Sequence, residues 1–77
     1  MSVDMKKIGL QIATLRRAKG ITQTQLGERL NISFQAVSKW ERGEALPDTG
    51  ILVDLAAVLE TSVDSILTGG EIQYHRS

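Results

Sequence analysis

The chain has 77 residues, no cysteine, and nine basic against nine acidic side chains, so its formal net charge is zero. This length holds one small domain with a single core, and 42% hydrophobic with 23% charged residues is not the composition of a disordered or membrane-embedded chain. The absence of cysteine excludes a disulfide framework and a thiolate zinc site, and the lone His75 cannot build a histidine site.

No apolar run reaches the roughly 20 residues of a membrane span. The residues after Met1 do not continue into the apolar stretch of a secretory signal. We therefore expect a cytoplasmic protein that has no membrane contact. No metal, cofactor or catalytic residue is expected either, because there is no paired-carboxylate pattern and a histidine near the chain end is rarely catalytic.

The charges are distributed unevenly along the chain. Residues 1–43 carry eight basic and three acidic side chains, a net charge of +5, whereas residues 44–77 carry one basic and six acidic side chains, a net charge of −5. A basic half of this kind is able to approach a polyanion. It is equally compatible with an ordinary solvated surface, so charge alone leaves nucleic-acid binding open.

Apolar residues at helical spacing, interrupted by turn residues, predict an all-α chain of five helices. The first helix carries its apolar stripe at Met5, Ile8, Ile12 and Leu15. Gly20 is predicted to end this helix, since glycine readily takes the left-handed geometry that follows a helix.

The second and third helices are predicted to form a helix-turn-helix. Thr22 and Gln25 match a capping box at the start of the second helix, and Ser33 matches the N-cap of the third. Only Asn31 and Ile32 separate the two helices, and asparagine tolerates a left-handed turn. Two capped helices this close together must turn sharply.

The C-terminal part is predicted to add two helices and a tail. Pro47 and Asp48 are expected to open the fourth helix, with the proline in its first turn. Residues 51–59 are apolar on most sides, which is typical of a central helix or of one shared with a partner chain. Ser62 is predicted to cap a fifth helix closed by Gly69. The domain is then residues 1–69, with residues 70–77 as a tail or the start of a linker.

The helix-turn-helix segment resembles a known family. Residues 22–27 (Thr-Gln-Thr-Gln-Leu-Gly), residues 33–39 and residues 40–43 (Trp-Glu-Arg-Gly) are similar to the phage repressor and Cro type of helix-turn-helix, also called the xenobiotic-response-element family. The resemblance covers about residues 5–69 and implies a compact five-helix bundle of the lambda-repressor-like class. It departs at Asn31, where the family most often has glycine. It departs again at Gly27, a small residue where two crossing helices approach, because alanine is commoner there and glycine costs a helix up to about 1 kcal/mol.

The resemblance places a recognition helix, residues 33–42, in the major groove of DNA. Its outward residues are those opposite Val37 and Trp40, which are assigned to the core. The candidates for base contacts are Phe34, Gln35, Ser38 and Lys39. Amide side chains pair well with adenine and cationic ones with guanine or a phosphate. For Phe34 two roles remain open: contact with a thymine methyl group, or packing against Ile32 in the core.

Phosphate contacts are expected from Gln23, Ser33 and Arg42. Gln23 lies at the start of the second helix, where free backbone N–H groups and the helix dipole favour an anion, and the family commonly has a phosphate-contacting glutamine there. For Arg16 and Glu41 the resemblance implies a structural ion pair between helices rather than a contact with DNA.

The function implied is sequence-specific binding of double-stranded DNA by a transcriptional regulator. A repressor is the expected role, acting as a homodimer on a palindromic operator. The alternative is a helical protein-interaction module of the same fold, such as an antitoxin-like or regulator-binding partner, with weak or no DNA affinity. The salt dependence of DNA binding separates these two hypotheses.

Overall fold

A computed structural model describes residues 4–70 of the chain. In this range the chain forms five helices and no strand, which confirms the predicted all-α class. The helices are α1 Met5–Ala18, α2 Gln23–Leu30, α3 Phe34–Glu41, α4 Thr49–Val58 and α5 Val63–Leu67. The predicted tail beyond residue 70, with His75, lies outside the described residues.

Each helix begins after a side chain that accepts a hydrogen bond from a backbone N–H group of the first turn. The capping residues are Asp4, Thr22, Ser33, Asp48 and Ser62. The predicted capping box of α2 is present, with Thr22 and Gln25 bonded to each other over 2.8 Å and 3.0 Å. The prediction that Pro47 lies in the first turn of α4 was wrong, because the helix begins two residues later. The Asp48 side chain caps α4 by accepting the Ile51 N–H group over 2.9 Å, so Pro47 precedes the cap.

All five helices end in the same hydrogen-bonded motif. At α3, the Gly43 N–H group donates to the Trp40 carbonyl over 3.0 Å, and the Glu44 N–H group donates to the Lys39 carbonyl over 2.9 Å. This pair of bonds is the Schellman motif, which requires a left-handed residue after the helix. The left-handed residues in the five motifs are Gly20, Asn31, Gly43, Glu60 and Gly69. The geometry predicted for Asn31 is therefore confirmed.

The core lies between the five helices: α3 packs on α1 and α2, α5 packs on α1 and α4, and α2 packs on α4. Its buried residues are Ile8, Ile12, Ile21, Leu26, Val37, Trp40, Leu55, Ala56, Leu59 and Ile66. Trp40 is only 4% exposed, which confirms its assignment to the core. Because α3 packs on both α1 and α2, one face of α3 is anchored and the other faces outward.

Two helical glycines permit close contacts that position α3. A Cβ atom at Gly27 would lie 2.8 Å from the Ile32 carbonyl oxygen. The backbone of α2 therefore lies close to the turn that leads into α3, as predicted from the small residue at this position. A Cβ atom at Gly9 would overlap the Trp40 carbonyl oxygen and lie 2.9 Å from the Glu41 carbonyl oxygen. The sequence analysis did not predict the close contact at Gly9, because the sequence shows only a glycine inside a helical pattern.

Among residues 4–70 no helix combines the length and the apolar character needed to cross a bilayer.

Candidate nucleic-acid interface

The outward face of α3 brings the four predicted base-contacting residues together. Together with Arg42 they line one open depression, and the lining residues are Phe34, Gln35, Ser38, Lys39 and Arg42. Gln35 and Lys39 are exposed and Ser38 is half-buried. Val37 and Trp40, on the opposite side of the helix, are buried in the core. Their packing holds α3 in place, so the outward residues have a fixed position.

The position of Phe34 favours a contact with a ligand over packing against Ile32 in the core. Half of its surface (50%) is exposed, and it is absent from the apolar side chains that pack on the core, whereas Ile32 belongs to them. Phe34 therefore lies at the rim of the depression, where an aromatic side chain is free to contact an apolar group of a ligand.

A buried ion pair connects α1 with the end of α3. The Arg16 Nε atom lies 2.6 Å from Glu41 Oε2, and Arg16 Nη2 lies 3.0 Å from Glu41 Oε1. Arg16 also donates through Nη1 to the Ile21 carbonyl over 2.9 Å. The two side chains are 10% and 6% exposed. The hydrogen bonds to Glu41 raise the pKa of Arg16 above its ordinary value although burial acts in the opposite direction.

Gln23 is part of the same network, a connection that the sequence analysis missed. Its side-chain amide nitrogen donates to Glu41 Oε1 over 3.0 Å. One of the two amide N–H groups is thus used by Glu41, and the other remains available at the start of α2. The network orients Gln23, so the ion pair assigned a structural role also sets the geometry of a predicted phosphate contact.

The start of α2 offers backbone donors of the kind that anions bind, whereas the Ser33 hydroxyl caps α3. The Ser33 hydroxyl accepts the Ala36 N–H group over 3.4 Å. The capping box of α2 occupies the N–H groups of Thr22 and Gln25. Within the described residues the N–H groups of Gln23 and Thr24, which lie between them, have no acceptor. Such N–H groups, aligned with the helix dipole, attract phosphate oxygens.

Arg42, at the end of α3, donates hydrogen bonds to two neighbouring side chains. Its Nε and Nη2 atoms donate to the two carboxylate oxygens of Glu44 over 2.8 Å and 3.3 Å, and Nη1 donates to the Ser38 hydroxyl over 2.9 Å. These bonds to Arg42, with further attraction from Lys39, lower the pKa of Glu44. Glu44 was not among the predicted site residues; an acidic residue two positions after a candidate phosphate contact was the available signal.

Comparisons with known proteins agree with the all-α fold and with the helix-turn-helix resemblance. A sequence model described as helix-turn-helix matches residues 12–66. The chain is 36% identical over 62 residues to the HTH-type transcriptional activator BcrR of Enterococcus faecalis, covering 80% of this chain and 30% of that protein. It is 38% identical over 60 residues to the cryptic phage CTXphi transcriptional repressor RstR of Vibrio cholerae, covering 78% of this chain and 54% of that protein.

A solved structure of the P22 c2 repressor in complex with a synthetic operator superimposes with a TM-score of 0.78 at 35% identity, covering 80% of this chain and 94% of that chain. The chain thus spans 30% and 54% of the length of these two relatives, and nearly all of the superimposed repressor chain. The family match includes the capped α2, the left-handed Asn31 and the anchored α3. The chain belongs to the helix-turn-helix family that includes phage repressors and bacterial transcriptional regulators.

Proposed function

We propose that this domain binds double-stranded DNA sequence-specifically as part of a transcriptional regulator, with α3 in the major groove. The observation that carries the proposal is the two-sided character of α3. Val37 and Trp40 hold one face in the core, while the other face presents a depression lined by polar, cationic and aromatic side chains. A helix anchored in this way can hold side chains against base edges.

The base contacts are proposed from the chemistry of the outward side chains. Gln35 can accept and donate at once, as adenine N6 and N7 require, and Lys39 can donate to guanine O6 and N7. The Ser38 hydroxyl already accepts from Arg42, so its own hydrogen is available to donate to a base. Phe34 offers an apolar surface for a thymine methyl group.

The phosphate contacts are proposed at three positions around the depression. Gln23 and Ser33 lie at the starts of α2 and α3, and Arg42 lies at the end of α3. Such contacts fix the register of the domain on the duplex without reading its sequence. The P22 c2 repressor, similar in fold and solved in complex with a synthetic operator, supports DNA as the ligand of this surface.

We expect two copies of the chain on each operator, because one recognition helix reads only a few base pairs. The surface proposed for contact between copies includes α4 and α5. There Val53 is 58% exposed, while Val63 and Leu67 are half-buried. Sedimentation across the micromolar range, with and without operator DNA, tests this: a constant monomer mass contradicts the dimer.

A regulator of this kind works in the cytoplasm on chromosomal or phage DNA, and binding, rather than catalysis, is its proposed activity. The direction of regulation differs among the relatives, which include an activator and a repressor. We propose repression here because the operator-bound neighbour is a repressor.

The test is selection of bound duplexes from a random pool, followed by titration of the selected duplex at several salt concentrations. Affinity should fall steeply with salt, each phosphate contact adding roughly 0.9 to the log–log slope. The matched pair of variants is Lys39→Ala and Arg29→Ala, since each removes one exposed cation from the last turn of an eight-residue helix. The first should alter base preference and the second should not. No binding at low salt would instead favour the protein-interaction module.

A further inference from the structure

Glu44 is the acidic side chain at the cationic end of the candidate DNA surface. It forms two hydrogen bonds to the Arg42 guanidinium, 2.8 Å to Nε and 3.3 Å to Nη2. A phosphate group takes a guanidinium through the same pair of parallel donors. The carboxylate of Glu44 therefore occupies one pair of parallel donors, Nε and Nη2, that would also suit a DNA phosphate.

The position of Glu44 is determined by the backbone. Its N–H group donates to the Lys39 carbonyl over 2.9 Å as part of the Schellman motif that ends α3, and Gly43 has a φ of +75° between the two charged residues. Glu44 is thus held beside the end of the recognition helix by bonds that do not involve its side chain. Replacing its carboxylate leaves this backbone motif intact.

Both side chains of this ion pair are exposed to solvent: the exposed fraction is 57% for Arg42 and 54% for Glu44. An exposed ion pair contributes little to folding stability, since water screens its charges. A duplex, in contrast, carries one negative charge about every 1.7 Å along its axis. A phosphate that takes the Nε and Nη2 donors of Arg42 must therefore displace the Glu44 carboxylate and its two hydrogen bonds.

We propose that Glu44 is an intramolecular counter-ion that competes with DNA phosphate for Arg42 and so lowers the affinity of the domain for every duplex. This inference rests on the proposed DNA-binding function and adds a residue that opposes it. Phosphate contacts are independent of sequence, so Glu44 lowers the affinity for operator and for non-operator duplexes by a similar factor.

The experiment titrates a random-sequence duplex and the selected operator with four proteins at several salt concentrations. The proteins are the unaltered chain, Glu44→Gln, Arg42→Gln and the double variant. Glu44→Gln should tighten binding to both duplexes by about 1.4- to 5-fold, the range that corresponds to breaking one exposed ion pair. It should also steepen the log–log salt slope by up to roughly 0.9, the contribution of one phosphate contact.

Glu28→Gln is the matched control, since Glu28 is an exposed glutamate on α2 without a side-chain partner among the described residues. It removes the same charge and should produce a clearly smaller change. The double variant should bind like Arg42→Gln alone, because Glu44 acts through Arg42. Thermal melting confirms that each variant is folded.

Three results would overturn the proposal. If Glu44→Gln and Glu28→Gln change affinity and slope equally, Glu44 has no local role. If Glu44→Gln strengthens binding equally well in the Arg42→Gln background, Glu44 repels DNA directly and does not compete for Arg42. If the unaltered chain binds neither duplex at low salt, the DNA-binding function itself fails and this inference fails with it.

Discussion

Gly9 on α1 lies directly against the backbone carbonyl of Trp40 near the C-terminal end of α3, with no space between them for a Cβ atom. The neighbouring atoms are backbone, so they cannot rotate away as a flexible side chain can. This contact fixes how closely α1 approaches the recognition helix, and with it the position of the outward face of α3.

Gly9→Ala should lower the free energy of unfolding by about 1–3 kcal/mol, because it inserts a methyl group into a closely packed contact. Gly50→Ala is the control: it is also a helical glycine, but its nearest neighbour would be an Asp48 carboxylate oxygen at 3.6 Å, an ordinary contact. That change should raise stability by up to about 1 kcal/mol through helix propensity. Urea denaturation measures both, and equal effects would contradict the steric role of Gly9.

Glu41→Gln should destabilise the domain strongly. It leaves the Arg16 guanidinium buried without a counter-charge, a change that typically costs about 3–5 kcal/mol in buried pairs. The exposed pair of Arg42 and Glu44 offers the contrast, since Glu44→Gln should hardly alter stability. Thermal melting of the two variants under the same conditions makes the comparison. Similar melting temperatures would show that the buried pair does not hold α1 on α3.

Glu60→Gly should stabilise the domain by about 0.5–1 kcal/mol. Glu60 has a φ of +56°, and a residue with a Cβ atom is strained in this left-handed region, whereas glycine is not. Its ion pair with Lys19 is partly exposed and contributes little. Glu60→Gln serves as the control because it removes the ion pair but keeps the Cβ atom. A loss of stability in Glu60→Gly alone would contradict the strain at this position.

Gln35→Ala should weaken operator binding by about 1–3 kcal/mol and relax the preference at one base position. Arg42→Ala should weaken binding to all duplexes alike and reduce the salt slope, since its proposed partner is a phosphate. Selection of bound sequences with each variant distinguishes these outcomes. The role assignments are wrong if both variants lose affinity while base preference and salt slope stay unchanged.

Local features of the fold were predictable from the sequence because neighbours along the chain produce them. Thr22 and Gln25 cap α2 through each other, and Asn31 takes the left-handed turn, so residues a few positions apart determine these helix ends. The apolar spacing of Val37 and Trp40 likewise predicts which face of α3 is buried, and hence which face is outward.

The tertiary structure was needed wherever atoms meet that are distant in sequence. No spacing rule indicates that Gly9 must admit the Trp40 carbonyl or that Glu41 orients Gln23, because these contacts depend on the distance between helices. The pairing of Arg42 with Glu44 is local, but it depends on a rotamer choice that a sequence pattern does not specify. Helix ends and helix faces therefore follow from local chemistry, whereas the position of α3 and the partners of its charged residues follow from packing between helices.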